Sequence, residues 1–251
     1  MKIKFLGTGT SQGVPVIACQ CAVCRSEDWR DKRLRSSVLI SHKGQQFIID
    51  TGPDFRQQIL RENIDRLDFV LLTHGHKDHV AGLDDIRAFN HIQGSPIDIY
   101  ADKLTCESVR KEFDYAFVED KYPGIPELNL HTIENQPFTA NNIHIKPIQI
   151  THYNLSILGF RIDDMAYITD ASHIEKTELD KLKNLNILII NALRIEKHYS
   201  HFNLEEAIAI SNYLRPQKTY FTHISHYISH ETHSKILPPT MFFAYDGLRV
   251  E

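Results

Sequence analysis

A run of metal-capable side chains follows the apolar segment 69–72. It reads Thr73-His74-Gly75-His76-Lys77-Asp78-His79, so three histidines and an aspartate fall within a single short turn. Imidazole and carboxylate groups are ligands that accept Zn²⁺, Mn²⁺ or Fe²⁺. Because a turn can converge side chains that a strand would point to opposite faces, this spacing predicts a metal site. The alternative is a solvated polar turn.

Three further ligand-type residues follow strand-like runs later in the chain. His152 comes after residues 143–150, Asp170 after 165–169 and His223 after 218–222. Each of them alone would more often be a capping or surface residue. Together with the turn, they strengthen the prediction of a metal site.

Three of the four cysteines are crowded near the start of the chain. Cys19, Cys21 and Cys24 form a poor disulfide framework, but closely spaced thiolates suit the tetrahedral preference of Zn²⁺. Residues 13–30 are therefore predicted to form a zinc-knuckle loop that lacks one ligand. Three reduced thiols in a loop are the alternative, and Cys106, in a helical stretch, is predicted to be a core residue.

Apolar periodicity places these residues on an alternating α/β framework. Helical spacing appears at 55–60, 83–89, 103–113, 175–185 and 204–214, whereas short β-branched runs predict strands at 2–6, 37–40, 47–49, 69–72, 143–150, 157–162, 165–169, 187–190 and 218–222. Residues 121–142 carry several prolines and predict an irregular surface segment. No linker composition interrupts the chain, so a single α/β domain over residues 1–251 is expected.

Composition limits the classes of partner. The chain has 251 residues, 42% of them hydrophobic and 24% charged, with a formal net charge of −4. This charge argues against a surface that coats nucleic acid, so no large nucleic acid is expected as a partner. No apolar run is long enough for a signal-peptide core or a membrane span, which predicts a cytoplasmic protein without a membrane partner.

The turn, the later histidines and the Thr-Asp after a strand resemble the metallo-β-lactamase superfamily. The resemblance implies a four-layered αββα sandwich and two catalytic divalent metals, Zn²⁺ or Mn²⁺. It further implies that His74, His76 and His152 bind the first metal, that Asp78, His79 and His223 bind the second, and that Asp170 bridges both. Asp50, in the run IIDTG, matches an aspartate that orients a ligand.

A narrower resemblance involves both ends of the chain. The opening Leu6-Gly7-Thr8-Gly9-Thr10, the cysteine cluster, and the closing Thr222-His223-Ile224-Ser225-His226 are similar to the PhnP branch of cyclic phosphodiesterases, which act in phosphonate breakdown. This resemblance supplies His226 as the fourth ligand of a structural Zn²⁺. It also implies that His201 reaches the scissile phosphate, where a histidine can protonate a leaving oxygen. A homodimer is a further expectation.

The resemblance predicts a dinuclear hydrolase of a small cyclic phosphodiester, such as 5-phosphoribosyl 1,2-cyclic phosphate, with Asp78 and His201 in catalytic roles. A tRNA 3′-processing nuclease shares the metal motif, but the basic Gly/Pro-rich arm of that class is missing from this sequence. A non-hydrolytic protein resembling PqqB shares the cysteine knuckle and is the other alternative. Residues Asn191-Ala192-Leu193-Arg194 depart from the branch, which carries acidic and histidine residues there, so substrate identity is open at this point.

Overall fold

Two β-sheets form the centre of the protein. The computed structural model describes residues 1–119 and 122–251, and within them each sheet has seven strands. The first sheet contains β1 (Lys2–Gly7), β2 (Ser37–His42), β3 (Gln45–Ile49), β4 (Phe69–Leu71), β5 (Ile97–Ala101), β6 (Leu128–Thr132) and β14 (Arg249–Val250). The second contains β7 (Phe138–Ala140), β8 (Ile143–His152), β9 (Leu155–Ile162), β10 (Met165–Ile168), β11 (Ile187–Asn191), β12 (Lys218–Thr222) and β13 (Met241–Phe243).

The strand order explains why the site residues meet at one end. It is β14-β1-β2-β3-β4-β5-β6 in the first sheet and β13-β12-β11-β10-β9-β8-β7 in the second. The strands β3 to β6 run parallel to one another, and so do β10 to β13. Because the carboxyl ends of parallel strands lie at the same edge of a sheet, the loops that follow β3, β4, β10 and β12 can face one another.

Alternation along the strands separates an inner apolar layer from two outer ones. In β3, Phe47 and Ile49 pack between the sheets, whereas Ile48 points to the outside. Phe47 stacks on Phe69 with 4.4 Å between ring centroids. Phe160 of the second sheet joins the same inner layer.

Helices cover the outer face of each sheet. They are α1 (Ala22–Arg25), α2 (Phe55–Glu62), α3 (Lys77–Val80), α4 (Arg87–Gln93), α5 (Lys103–Glu112), α6 (Lys176–Asp180), α7 (Leu204–Leu214) and α8 (His230–Ser234). Ile48 packs in one cluster with Phe55 of α2 and Val109 of α5, and Leu188 packs in another with Leu204 of α7. The predicted αββα sandwich is therefore confirmed. Within the described residues, no helix has the length and apolarity to cross a bilayer.

Two predicted segments were wrong. The segment 121–142 was expected to be irregular. Lys121 lies outside the described residues, and the rest of the segment contains the strands β6 and β7. Both are short edge strands whose half-exposed residues give little apolar alternation, and prolines precede them at edge positions where a missing N–H is tolerated. The helix expected at 175–185 ends at Asp180, because the chain turns through Asn184 at φ 58° to bury Leu185.

Candidate metal centre

The histidine-rich turn is anchored to the first sheet by Asp50. This carboxylate directly follows β3 and accepts hydrogen bonds from the Thr73 backbone N–H at 2.8 Å and from the Thr73 hydroxyl at 2.9 Å. The turn then enters the short helix α3, which has His76 at its N-cap. His74 and His79 become buried, while His76 stays exposed. Adjacent loops of the sheet therefore fix the start of the turn.

One cluster consists of His74, His76 and His152. A ligand atom from each lies within 4.8 Å of the other two, and His74 Nε2 is 2.9 Å from His76 Nδ1. His152, at the end of β8, donates from Nδ1 to the carbonyl oxygen of Ser200 at 2.9 Å. That hydrogen bond leaves the Nε2 lone pair of His152 available for a cation.

A second cluster consists of Asp78, His79, Asp170 and His223, again with ligand atoms within 4.8 Å of one another. His79 Nδ1 is 2.8 Å from Asp50 Oδ2. Its Nε2 lies 3.2 Å from Asp78 and 3.1 Å from Asp170 but makes no hydrogen bond with either. A nitrogen that faces two carboxylate oxygens requires either a proton or a cation between them. The donor set and this buried, unsatisfied nitrogen fit a divalent cation.

Burial and mutual charge set the protonation of these groups. Burial lowers the pKa of His74 well below its ordinary value and that of His223 to about 4, which favours the neutral imidazole that binds metals. Burial also acts to lower the pKa of His79, but the carboxylates of Asp78 and Asp170 raise it well above the ordinary value. Burial acts to raise the pKa of Asp170, and His223 and His79 bring it well below normal. The cluster therefore holds anionic carboxylates that require a positive partner.

Three residues of the centre adopt left-handed backbone conformations just after strands. Their φ angles are 66° for Asp50, 58° for Asp170 and 53° for His223. Such conformations cost about 1–3 kcal/mol each and persist where the surroundings fix them. Asn191 provides one such restraint, because its side-chain amide accepts from the N–H of Ala171 at 2.8 Å and donates to the carbonyl of Ala171 at 3.0 Å. The first residue of the segment that departs from the PhnP pattern thus holds the loop beside Asp170.

The two clusters adjoin, and His201 lies against both. The ring centroids of His74 and His79, one from each cluster, are 4.2 Å apart. The ring centroid of His201 lies 4.8 Å from that of His152 and 5.0 Å from that of His223. His201 Nε2 is 3.6 Å from Asp170 Oδ1. Asp170 belongs by distance to the second cluster, so a bridging role is a proposal that rests on the family resemblance.

Loop and helix geometry hold His201 in this position. Its Nδ1 is 2.8 Å from the Ser200 hydroxyl. Asn203 caps α7 in a capping box with Glu206, which fixes the chain just after the histidine. The carbonyl of Ser200 orients His152, and its hydroxyl contacts His201. This role was not predicted from the sequence, because a contact made by a backbone carbonyl does not depend on the type of side chain.

The cysteines converge with His226, as the resemblance implies. The Sγ atoms of Cys19, Cys21 and Cys24 lie 3.3, 3.4 and 3.6 Å from His226 Nδ1. Tetrahedral zinc with Zn–S near 2.3 Å and Zn–N near 2.1 Å requires an S···N separation of about 3.6 Å. The N–H of Cys24 donates to Cys21 Sγ at 3.4 Å and lowers the pKa of that thiol to about 6. The group therefore fits one zinc ion.

A buried arginine that the sequence did not single out joins the knuckle to the loop after β12. Arg33 donates to the carbonyl oxygens of Ser225 and Ile228 at 2.9 and 2.8 Å, and to Asp31 at 2.7 Å. Asp31 in turn accepts from the backbone N–H of His230 at 2.8 Å. Arg33 is only 1% exposed, so these contacts are shielded from water.

Comparisons with known proteins agree with this architecture. The family described as "Beta-lactamase superfamily domain" matches residues 45–224. A protein of Porphyromonas gingivalis named octanoyltransferase is 42% identical over 252 residues, which cover 99% of this chain and 51% of that protein. The chain therefore spans about half the length of this relative.

Two solved structures share the whole fold. One, a new diphosphatase from the PhnP family, has a TM-score of 0.94 and 38% identity, and the match covers 100% of this chain and 97% of that one. Zn²⁺-bound PqqB from Methylobacterium extorquens has a TM-score of 0.83 at 19% identity, with 100% of both chains covered, which shows the fold alone. The chain therefore belongs to the metallo-β-lactamase superfamily and, within it, to the PhnP family.

Proposed function

We propose that this protein is a dinuclear phosphodiesterase that hydrolyses a small cyclic phosphodiester, such as 5-phosphoribosyl 1,2-cyclic phosphate. The observation that carries the proposal is the pair of adjoining clusters, one of three histidines and one with two carboxylates, at a single end of the sandwich. Such a pair fits two divalent cations, Zn²⁺ or Mn²⁺. The cysteine cluster with His226 would hold a third ion, a structural Zn²⁺.

When bound, two divalent cations supply an activated water and neutralise charge that builds on the phosphate. The protein's own residues would direct this chemistry. Asp78 and Asp170 would hold the second cation and accept hydrogen bonds from the attacking water. Asp50 would keep His79 oriented through the 2.8 Å contact, so that His79 Nε2 faces the centre.

His201 would protonate the leaving oxygen. Its Nε2 faces the centre near Asp170, and its Nδ1 contacts the Ser200 hydroxyl, so the ring has one anchored edge and one edge towards a substrate. Histidine changes charge near neutral pH, which suits a group that must deliver a proton and recover it in each turnover. The ring is partly exposed, with 13% of its side chain accessible, so a substrate can reach it.

One further observation favours a second candidate substrate. The solved relative with 38% identity is a diphosphatase, so a diphosphate is the second candidate substrate for the same centre. A tRNA 3′-processing nuclease is less well supported, since the net charge of −4 offers no general surface for RNA. A non-hydrolytic role like that of PqqB would not explain the second cluster, with its two carboxylates.

The name octanoyltransferase does not assign acyl transfer to this chain. About half of that Porphyromonas protein lies outside the match, a length that can hold a domain of its own. An acyl ester therefore belongs in the substrate screen as a separate arm, because its hydrolysis would point to a different use of the centre.

The test is a substrate screen with metal-reconstituted protein. The substrates are 5-phosphoribosyl 1,2-cyclic phosphate, 2′,3′-cyclic nucleotides, bis-p-nitrophenyl phosphate, ADP-ribose as a diphosphate and p-nitrophenyl octanoate. We expect kcat/KM for the phosphoribosyl cyclic phosphate to exceed that for the cyclic nucleotides by about tenfold or more. The Asp78→Asn variant, prepared in parallel, controls for contaminating phosphodiesterases.

Other outcomes would overturn the proposal in distinct ways. Hydrolysis of ADP-ribose without hydrolysis of any cyclic phosphodiester would make the enzyme a diphosphatase. Hydrolysis of the octanoate alone would indicate acyl chemistry. Bound iron with no hydrolysis of any substrate would favour the non-hydrolytic alternative.

A further inference from the structure

A pocket opens beside the candidate metal centre on the side of the cysteine knuckle. Its volume is about 220 Å³, room for about seven water molecules. Its lining includes His201 and His223 of the centre together with Gln12 and Tyr227. Arg194 and His198 also line the pocket. A group bound in this pocket would therefore lie next to a substrate atom held at the centre.

Arg194 brings a fixed positive charge to the pocket. Its Nε–H donates to the carbonyl of Glu196 at 3.3 Å and one Nη2–H donates to the carbonyl of Lys197 at 2.8 Å. Among residues 1–119 and 122–251, these two carbonyl oxygens are the only hydrogen-bond partners of the guanidinium, and neither belongs to a carboxylate. A guanidinium with unused N–H groups suits a phosphate, which it can bind with two parallel hydrogen bonds.

The backbone beside Arg194 is held firmly. The N–H of Leu204, the first residue of α7, donates to the Arg194 carbonyl at 2.9 Å. The neighbouring Leu193 donates to the Phe202 carbonyl at 3.0 Å and accepts from the Ser225 N–H at 2.9 Å. Arg194 is therefore placed by the same loops that carry His201 and His223. A charge on a preorganised loop costs little ordering entropy when a ligand binds.

The pocket lacks a competing negative charge. The side chains that line it are histidines, hydroxyl and amide groups, apolar groups and Arg194, with no aspartate or glutamate among the described lining residues. Arg194 is also near enough to contribute, after burial and His201, to lowering the pKa of His198. The lining of the pocket therefore carries a positive charge and no carboxylate, which favours an anionic ligand.

We propose that Arg194 and the pocket around it bind a second, non-reacting phosphate of the substrate while the scissile phosphate lies at the metal centre. This inference rests on the proposed phosphodiesterase function and assigns a residue of this chain to the recognition of the 5-phosphate that the proposed substrate carries. A sugar that carries a cyclic phosphate at one end and a phosphate monoester at the other has this form. Arg194 is thus a specificity residue that discriminates the phosphorylated sugar from the unphosphorylated one.

The experiment compares two substrates in three proteins. The substrates are 5-phosphoribosyl 1,2-cyclic phosphate and ribosyl 1,2-cyclic phosphate, which differ only in the 5-phosphate. The proteins are the wild type, Arg194→Ala and the matched control Arg56→Ala, which removes an exposed arginine from α2. In the wild type we expect the 5-phosphate to raise kcat/KM, mainly by lowering KM. In Arg194→Ala this preference falls by about 10- to 100-fold, whereas Arg56→Ala keeps it.

A conservative variant and a binding measurement complete the test. Arg194→Lys keeps the charge but loses the paired hydrogen bonds, so we expect it to restore only part of the preference. Calorimetry with ribose 5-phosphate measures binding to the pocket without turnover. The Kd of Arg194→Ala for this probe should be at least about tenfold higher than that of the wild type.

The outcomes separate the two proposals. If the wild type hydrolyses neither cyclic phosphate but binds ribose 5-phosphate through Arg194, the proposed function fails and the phosphate pocket stands. If Arg194→Ala loses the same factor on both cyclic phosphates, or binds ribose 5-phosphate as tightly as the wild type, then Arg194 braces the loop and the phosphate pocket is refuted.

Discussion

Replacing Arg33 by methionine should destabilise the link between the cysteine knuckle and the loop after β12. The substitution keeps most of the aliphatic stem but removes the guanidinium, which donates hydrogen bonds to the carbonyls of Ser225 and Ile228 and to the carboxylate of Asp31. It leaves a buried carboxylate without its charge partner, and removal of one member of a buried ion pair costs about 3–5 kcal/mol. In a chain of this length, such a loss should lower Tm by about 6–20 °C.

Arg30→Met is the matched control for this experiment. Arg30 lies in the same loop and pairs with Asp28 at 2.8 Å, but its side chain is 36% exposed, so its loss should cost about 1 kcal/mol or less. Thermal unfolding of both zinc-loaded variants, with zinc content measured before heating, makes the comparison. A Tm for Arg33→Met within the error of that for Arg30→Met would refute the reasoning that this buried arginine holds the two loops together.

Three further predictions concern separate parts of the molecule. Cys21→Ser should lower Tm and remove about one zinc equivalent, whereas Cys106→Ala should keep the zinc; unchanged zinc in Cys21→Ser would count against a structural site. His201→Ala should retain its metals and hydrolyse a sugar cyclic phosphate about 10²- to 10⁴-fold more slowly than the wild type. The loss should be smaller on bis-p-nitrophenyl phosphate, because its leaving group needs little protonation. Equal losses on both substrates would exclude proton donation by His201. Burial lowers the pKa of His230 from 6.5 to about 4. The contribution of the neutral His230 side chain to the free energy of unfolding is therefore fully present above pH 6.5 and is lost as the pH falls through about 4. His230→Gln should therefore lose less Tm between pH 6.5 and pH 4 than the wild type and the exposed control His144→Gln, and parallel Tm curves for all three would contradict this assignment.

Local patterns predicted much of the fold and the metal-capable turn. Strand β4 is a continuous apolar run, and the ligand-type residues follow it within one turn, so the spacing alone indicates their convergence. The helix α7 was predicted with its observed bounds, because Asn203 gives an N-terminal cap and Pro216 a stop. His226 lies more than 200 positions from the cysteines, so only the family resemblance placed it with them.

Other parts of the site depend on contacts that no local pattern encodes. Arg33 stands in a run of charged residues that is typical of a solvated surface, yet its burial depends on acceptors almost 200 positions away. Asn191 ends an apolar strand and gives no sign that its amide will restrain Ala171. The edge strands β6 and β7 were missed because edge positions receive their stability from pairing with a neighbouring strand rather than from apolar alternation.

Metal content and turnover of Asp78→Ala, measured on the same preparation, test the central assignment of a dinuclear hydrolase. Lys77→Ala is the matched control, because Lys77 is the adjacent residue and its side chain is 72% exposed. We expect Asp78→Ala to stay folded, to bind at least one fewer cation than the wild type, and to lose about 10²-fold or more in kcat. Lys77→Ala should keep its metals and its turnover. An Asp78→Ala protein with the full metal content and more than about 5% of wild-type turnover would contradict the assignment.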